Sequence, residues 1–111
     1  MEDVCRAGDI ENTMPKPIKA GLLTNADGAH VSAYLQALAA TKVCSKVVLG
    51  DPDGRWENDA RRILGEKLTG VHRNHQELLS AESPDLALVT LEAGLAPPVI
   101  QRALDANCHV F

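Results

Sequence analysis

Apolar runs of strand length alternate with amphipathic helical segments along almost the whole of this chain. The strand-like runs cover residues 18–24, 45–50, 69–72, 85–91 and 108–111. The first segment between them predicts a helix over residues 28–41, with apolar residues recurring at Val31, Tyr34, Leu35 and Leu38. Five strands separated by four such helices predict a parallel sheet with right-handed crossovers and helices on both faces. The predicted fold class is therefore α/β with three layers.

Turn and capping residues mark the predicted ends of these elements. The segment Asp51-Pro-Asp-Gly54 has strong turn chemistry and ends the second strand. Gly65 is a typical stop for the second helix, and Asn74 is suited to cap the start of the third. Pro97 suits the first turn of the fourth helix, where a missing N–H costs little. Asn107 is placed to end that helix before the last strand.

Composition narrows the class of protein. The 111 residues are enough for one domain with a core and too few for two. A net charge of −4 without a basic block disfavours nucleic-acid binding. No apolar run approaches the roughly 20 residues of a membrane span, so no membrane interaction is predicted. Three widely spaced cysteines fit neither a disulfide framework nor a metal site, which favours a cytoplasmic location.

The two ends of the chain suggest how it is organised. Residues 1–16 carry acids and Pro15 but no apolar signal region, so we predict a disordered N-terminal extension. Translation from Met1 and translation from Met14 both remain open. Residues 17–111 form the predicted domain, and its last strand is cut at Phe111, within four residues of its start. We therefore expect a fragment or a truncated protein.

Several segments, in one order and at consistent spacing, are similar to a known family. They lie at residues 17–23, 30–38, 47–51, 75–85 and 103–110. On these segments the chain resembles the N-terminal NAD(P)-binding domain of the Gfo/Idh/MocA oxidoreductases, relatives of glucose-fructose oxidoreductase and inositol dehydrogenase. The fold that this resemblance implies is Rossmann-like.

The resemblance also implies an activity. In the family this domain binds NAD or NADP, and a second α/β domain, absent here, holds the small-molecule substrate. The whole enzyme would be an NAD(P)-dependent oxidoreductase that moves a hydride to or from a sugar, polyol or related hydroxyl compound. A Glu-Lys-Pro motif would supply the lysine for proton transfer, and this chain stops before it. We therefore expect no catalytic residue here and an inactive chain on its own, and oligomer formation stays open.

The predicted cofactor-binding residues lie in the loops after three strands. They are Thr24, Asn25, Ala26, Gly28, Ala29, His30, Asp51, Leu91 and Leu95. Placed by the resemblance, the glycines of the phosphate-binding loop fall at Thr24, Ala26 and Ala29, and only Ala29 conforms. Gly28 relieves the turn if the loop is shifted by about one residue. His30 is close enough to contact phosphate, although a structural role is the stronger interpretation.

Asp51 decides the cofactor preference. An acid after the second strand accepts hydrogen bonds from the adenosine ribose, which slightly favours NAD. The alternative is that Asp51 belongs only to a turn, and Arg55 would then be available for a 2′-phosphate. In the loop after the fourth strand, Leu95 is the only match to the family. No metal site is predicted, since His72 and His75 lack further ligands in a suitable pattern.

Two other functions compete with the oxidoreductase. The non-glycine residues Thr24 and Ala26, with Asp27, Glu92 and Ala96, favour a non-catalytic Rossmann-like scaffold or interaction module that has lost tight cofactor binding. A phospho-receiver or flavodoxin-like domain has the same alternation of elements, but its last strand would need a lysine that residues 108–111 do not contain.

Overall fold

The computed structural model describes residues 17–91 and 94–111. The strands are β1 (Ile18–Leu23), β2 (Cys44–Gly50), β3 (Leu68–His72), β4 (Leu86–Val89) and β5 (His109–Val110). The helices are α1 (Val31–Ala40), α2 (Glu57–Leu64), α3 (His75–Glu82) and α4 (Ala96–Asp105), with a 3-10 turn at Gly65–Lys67 after α2. The predicted extension, residues 1–16, lies outside the described residues.

The five strands form one parallel sheet in the order β3-β2-β1-β4-β5. The register places Leu22 of β1 beside Leu49 of β2 on one side and beside Leu88 of β4 on the other. The chain moves outward from β1 to β3, then returns across the sheet to β4 and β5. The loops after β1 and β4 therefore leave adjacent strands in opposite directions, which opens a crevice at the carboxyl edge of the sheet. The predicted α/β architecture, consistent with a Rossmann-like fold, is confirmed.

The helices cover both faces of the sheet. Leu22 and Leu49 belong to the core beneath α1 and α2, whereas Leu23 and Val48 belong to the core beneath α3 and α4. Successive strand residues point to opposite faces, so each apolar strand supplies both cores. This explains why the strands read as almost continuous apolar runs rather than as alternating ones.

The ends of the elements follow the predicted signals with one main difference. Asn74 caps α3, with its Oδ1 accepting a hydrogen bond from the Glu77 amide at 2.9 Å, and Gly65 ends α2 at a φ of 56°. The first helix was expected over residues 28–41, but α1 begins only at Val31. His30 has a left-handed backbone (φ 57°), so the helix cannot extend through it toward the sheet.

Lys67 joins the two helices of the first face. Its Nζ donates to the carbonyl oxygens of Leu38, Ala39 and Thr41 at 3.0, 2.9 and 2.9 Å. The last carbonyls of a helix have no partner within it and carry partial negative charge, so a lysine there stabilises the helix end. The 3-10 turn after α2 is thereby tied to the C-terminus of α1.

Within the described ranges, no helix is long and apolar enough to cross a lipid bilayer.

Candidate functional site

Three polar residues stand directly after adjacent strands at the carboxyl edge of the sheet. Thr24 follows β1, Asp51 follows β2 and Thr90 follows β4, and all three are buried. Their amides continue the strand pairing, donating to the carbonyls of Gly50, His72 and Leu23, each at 2.9 Å. The start of α1 opens onto the same edge. The structure therefore brings Asp51 and the predicted phosphate loop to one side of the sheet.

The loop from Thr24 to His30 packs closely against the end of β4. A Cβ at Gly28 would overlap both the Thr24 hydroxyl and the Thr90 carbonyl oxygen. The Ala29 amide donates to that same Thr90 oxygen at 3.2 Å. A glycine is therefore required at position 28 because the loop comes too close to Thr90 to leave room for a side chain, and not because of an unusual backbone angle. The shifted-loop alternative gave Gly28 a different role, the relief of the turn.

Side chains from the turn after β2 and from the start of α3 hold the first half of this loop. His75 Nε2 donates to the Thr24 carbonyl at 2.8 Å, which requires a proton on that nitrogen. Trp56 Nε1 donates to the Asn25 carbonyl at 3.0 Å. The Ala26 amide donates to Asp53 Oδ2 at 2.9 Å. An amide in the predicted phosphate loop thus already binds an anionic oxygen from within the protein.

Asp51 lies inside its own turn. Its side chain is fully buried, and Oδ2 accepts a hydrogen bond from the Trp56 amide at 2.8 Å. Arg73 lies beside it, with Nη1 at 3.1 Å from the Asp51 carbonyl and 3.8 Å from Oδ2. Asp51 Oδ1 has no hydrogen-bond partner among the described residues. The carboxylate stabilises the approach to α2 through the Trp56 amide, and because Oδ1 is buried, a ribose hydroxyl reaches it only if the residues that cover it move.

A cavity of about 440 Å³ opens at the crevice between the loops after β1 and β4. Its walls are largely apolar, and its polar groups come from four separate segments. The lining residues are Asn25, Pro52, Asp53, His75, Leu91, Gly94, Leu95, Pro98, Val99 and Arg102. A volume of this size, with an apolar wall and a few polar groups, is typical of small-molecule sites.

Only some of the predicted site residues line this cavity. Asn25, Leu91 and Leu95 line it, with Leu95 half-exposed at the start of α4. The remaining predicted residues do not line it; they are Thr24, Ala26, Gly28, Ala29, His30 and Asp51. His30 is exposed, and its side chain makes no hydrogen bond to cap α1.

Sequence reasoning missed seven of the ten residues that line the cavity. Asp53 was visible only as part of a turn, and His75 was considered only as a metal ligand. Val99 and Arg102 lie on the fourth helix, at i and i+3, so their shared face was readable from spacing. The sequence held no signal that this face meets the loop after β2.

Two further features lie away from the strand ends. A smaller cavity of about 260 Å³ lies between α3 and α4 and includes Gln76, Ser80 and Asp105. Glu82 accepts hydrogen bonds from His72 Nε2 at 2.9 Å and from Lys19 Nζ at 2.8 Å. The His72 hydrogen bond, followed by that of Lys19, lowers the pKa of the Glu82 carboxyl. Neither His72 nor Glu82 lines the larger cavity, so we assign this cluster to stability.

The described cysteines have no reactive character. Cys44 and Cys108 are buried and unpaired, and burial raises the pKa of each thiol. A raised pKa leaves less of the nucleophilic thiolate near neutral pH. Both residues serve as small core side chains.

Comparison with known proteins adds no assignment to this geometry. The sequence matches no family model and no curated protein.

Proposed function

We propose that this chain is the nucleotide-binding domain of an NAD(P)-dependent oxidoreductase that acts on a sugar- or polyol-type hydroxyl compound. The observation that carries the proposal is the cavity at the crevice between the loops after β1 and β4, where parallel α/β sheets bind their ligands. The family resemblance supplies the cofactor class. When bound, such a cofactor supplies hydride transfer, and the residues of this chain bind and orient it.

The lining of the cavity fits the adenosine part of the cofactor. Leu91, Leu95 and Val99 offer an apolar wall against which a purine ring can pack. Asn25 and Arg102 contribute polar groups at the margin of that wall. The preference for NAD depends on Asp51, and this buried carboxylate can bind a ribose only if it becomes exposed. We therefore propose NAD or NADP as the cofactor.

Calorimetric titration with NAD⁺, NADH, NADP⁺ and NADPH tests this function, and two leucine variants make the test specific. Leu95 and Leu104 are each 50% exposed and both belong to the α4 segment, but only Leu95 lines the cavity. We expect Leu95→Asp to weaken binding about tenfold and Leu104→Asp to change it less than about twofold. Equal effects of the two variants would place the ligand elsewhere. Failure of all four nucleotides to bind at millimolar concentration would exclude the proposal.

A second function is favoured by a specific observation. The Ala26 amide already binds Asp53, and the Asp51 carboxylate already binds the Trp56 amide. Two groups that a dinucleotide would contact are therefore engaged within the protein. These contacts favour a non-catalytic Rossmann-like scaffold. The double variant Thr24→Gly/Ala26→Gly tests this function: a module that has lost tight cofactor binding should acquire or strengthen NAD(H) binding when the two glycines are restored. No gain in binding would mean that the loop was never a dinucleotide site or that other losses dominate.

A further inference from the structure

We propose that Asp53 is a built-in competitor for ligand phosphate and sets how well the site distinguishes phosphate-bearing from phosphate-free ligands. The inference rests on the proposed function and deepens it. Asp53 Oδ2 lies 2.9 Å from the Ala26 amide, in the loop that leads into α1. The same residue lines the cavity. One exposed carboxylate therefore occupies a loop amide at the margin of the candidate nucleotide site.

The hydrogen bond shows that this amide is arranged to hold an anionic oxygen. Backbone amides near a helix N-terminus bind carboxylate and phosphate oxygens for the same reason, since both carry negative charge and accept hydrogen bonds. A ligand phosphate at the amide must displace Asp53 or meet its charge at close range. An uncharged nucleoside in the apolar part of the cavity does neither.

Asp53 is the displaceable member of the contacts that hold this loop. His75 and Trp56 hold the carbonyls of Thr24 and Asn25 from partly buried positions, whereas the Asp53 contact is exposed to solvent. The Ala29 amide is fixed by the carbonyl of Thr90, just after β4. Removal of the Asp53 carboxylate should therefore free one amide and leave the loop in place.

Asp27 provides a matched control. It lies in the same loop, is exposed, and makes no hydrogen bond or ion pair with any described residue. Asp27→Ala removes the same charge as Asp53→Ala but frees no amide. A general electrostatic effect would change the affinity for a phosphate-bearing ligand equally in both variants. Competition for the amide would change that affinity only in Asp53→Ala.

The experiment titrates the full chain and three variants, Asp53→Ala, Asp27→Ala and Asp53→Asn, with ADP and with adenosine. We expect Asp53→Ala to tighten ADP binding about tenfold and to leave adenosine within about twofold, while Asp27→Ala strengthens ADP by about twofold at most. Asp53→Asn keeps an acceptor without the charge, so its affinity for ADP should lie between those of the parent chain and Asp53→Ala. Equal gains in the two alanine variants, or weaker ADP binding in Asp53→Ala, would overturn the inference. Binding of neither ligand to any of the proteins would remove the proposed function itself, and circular dichroism would establish that the variants are folded.

Discussion

Substitution of Gly28 by alanine tests whether the loop after β1 is locked against β4. The new Cβ would overlap the Thr24 hydroxyl and the Thr90 carbonyl oxygen. The hydroxyl can rotate away, but the carbonyl is fixed by its hydrogen bond from the Ala29 amide. Overpacking of a closely packed site costs about 1–3 kcal/mol, and a fixed backbone obstacle places this change near the upper end. At about 4–8 °C per kcal/mol for a domain of this size, the melting temperature should fall by about 10–20 °C.

The assay is thermal and urea unfolding of Gly28→Ala beside Gly94→Ala. A Cβ at Gly94 would meet no atom within 4 Å, so that variant should stay within about 0.5 kcal/mol of the parent. Adding Thr24→Ala to Gly28→Ala removes the hydroxyl overlap but not the carbonyl overlap, so it should restore less than half of the lost stability. A Gly28→Ala protein as stable as Gly94→Ala would refute the close approach, and with it the shape assigned to the loop.

Three further substitutions test the framework around the site. Lys67→Met should lower the free energy of unfolding in urea by about 2 kcal/mol, because a charged donor to three carbonyls is lost. Lys42→Met, at an exposed position with no such partners, should leave it nearly unchanged. Asn74→Ala should cost about 1 kcal/mol through loss of the α3 cap, and little change would show that Oδ1 contributes nothing. Because the pKa of Glu82 is lowered from about 4.5 in the folded state, its contribution is complete above that value and lost as pH falls through the folded pKa. A Glu82→Gln protein should therefore be less stable at pH 7 and lose stability less steeply below pH 4.5, as measured by urea unfolding across pH.

The architecture was predictable because its signals are local. Apolar runs of strand length, Gly65 as a helix stop and Asn74 as a cap each act within a few residues, and all appear in the structure as expected. The start of α1 was predicted three residues early, because nothing local shows that His30 takes a left-handed backbone. Periodicity locates a helix more securely than its first turn.

The site was less predictable because its contacts join distant parts of the chain. His75 reaches back 51 residues to Thr24, and Asp53 reaches back 27 residues to Ala26. Such pairs depend on how the loops after different strands meet in the folded protein, and a short sequence motif does not predict that arrangement. The turn after β2 illustrates the point, because its sequence shows two acids without showing which is buried.

Burial gives those two acids different roles. Asp51 is enclosed, with one oxygen on the Trp56 amide, so removing its charge would disturb the start of α2. Asp53 is exposed two residues later, and its contact with Ala26 exchanges with water or a ligand oxygen at little structural cost. The same turn therefore combines a carboxylate that builds the edge of the sheet with one that regulates access to it. A ligand that meets only Asp53 can bind at the surface, whereas a ligand that needs Asp51 must first expose a buried carboxylate.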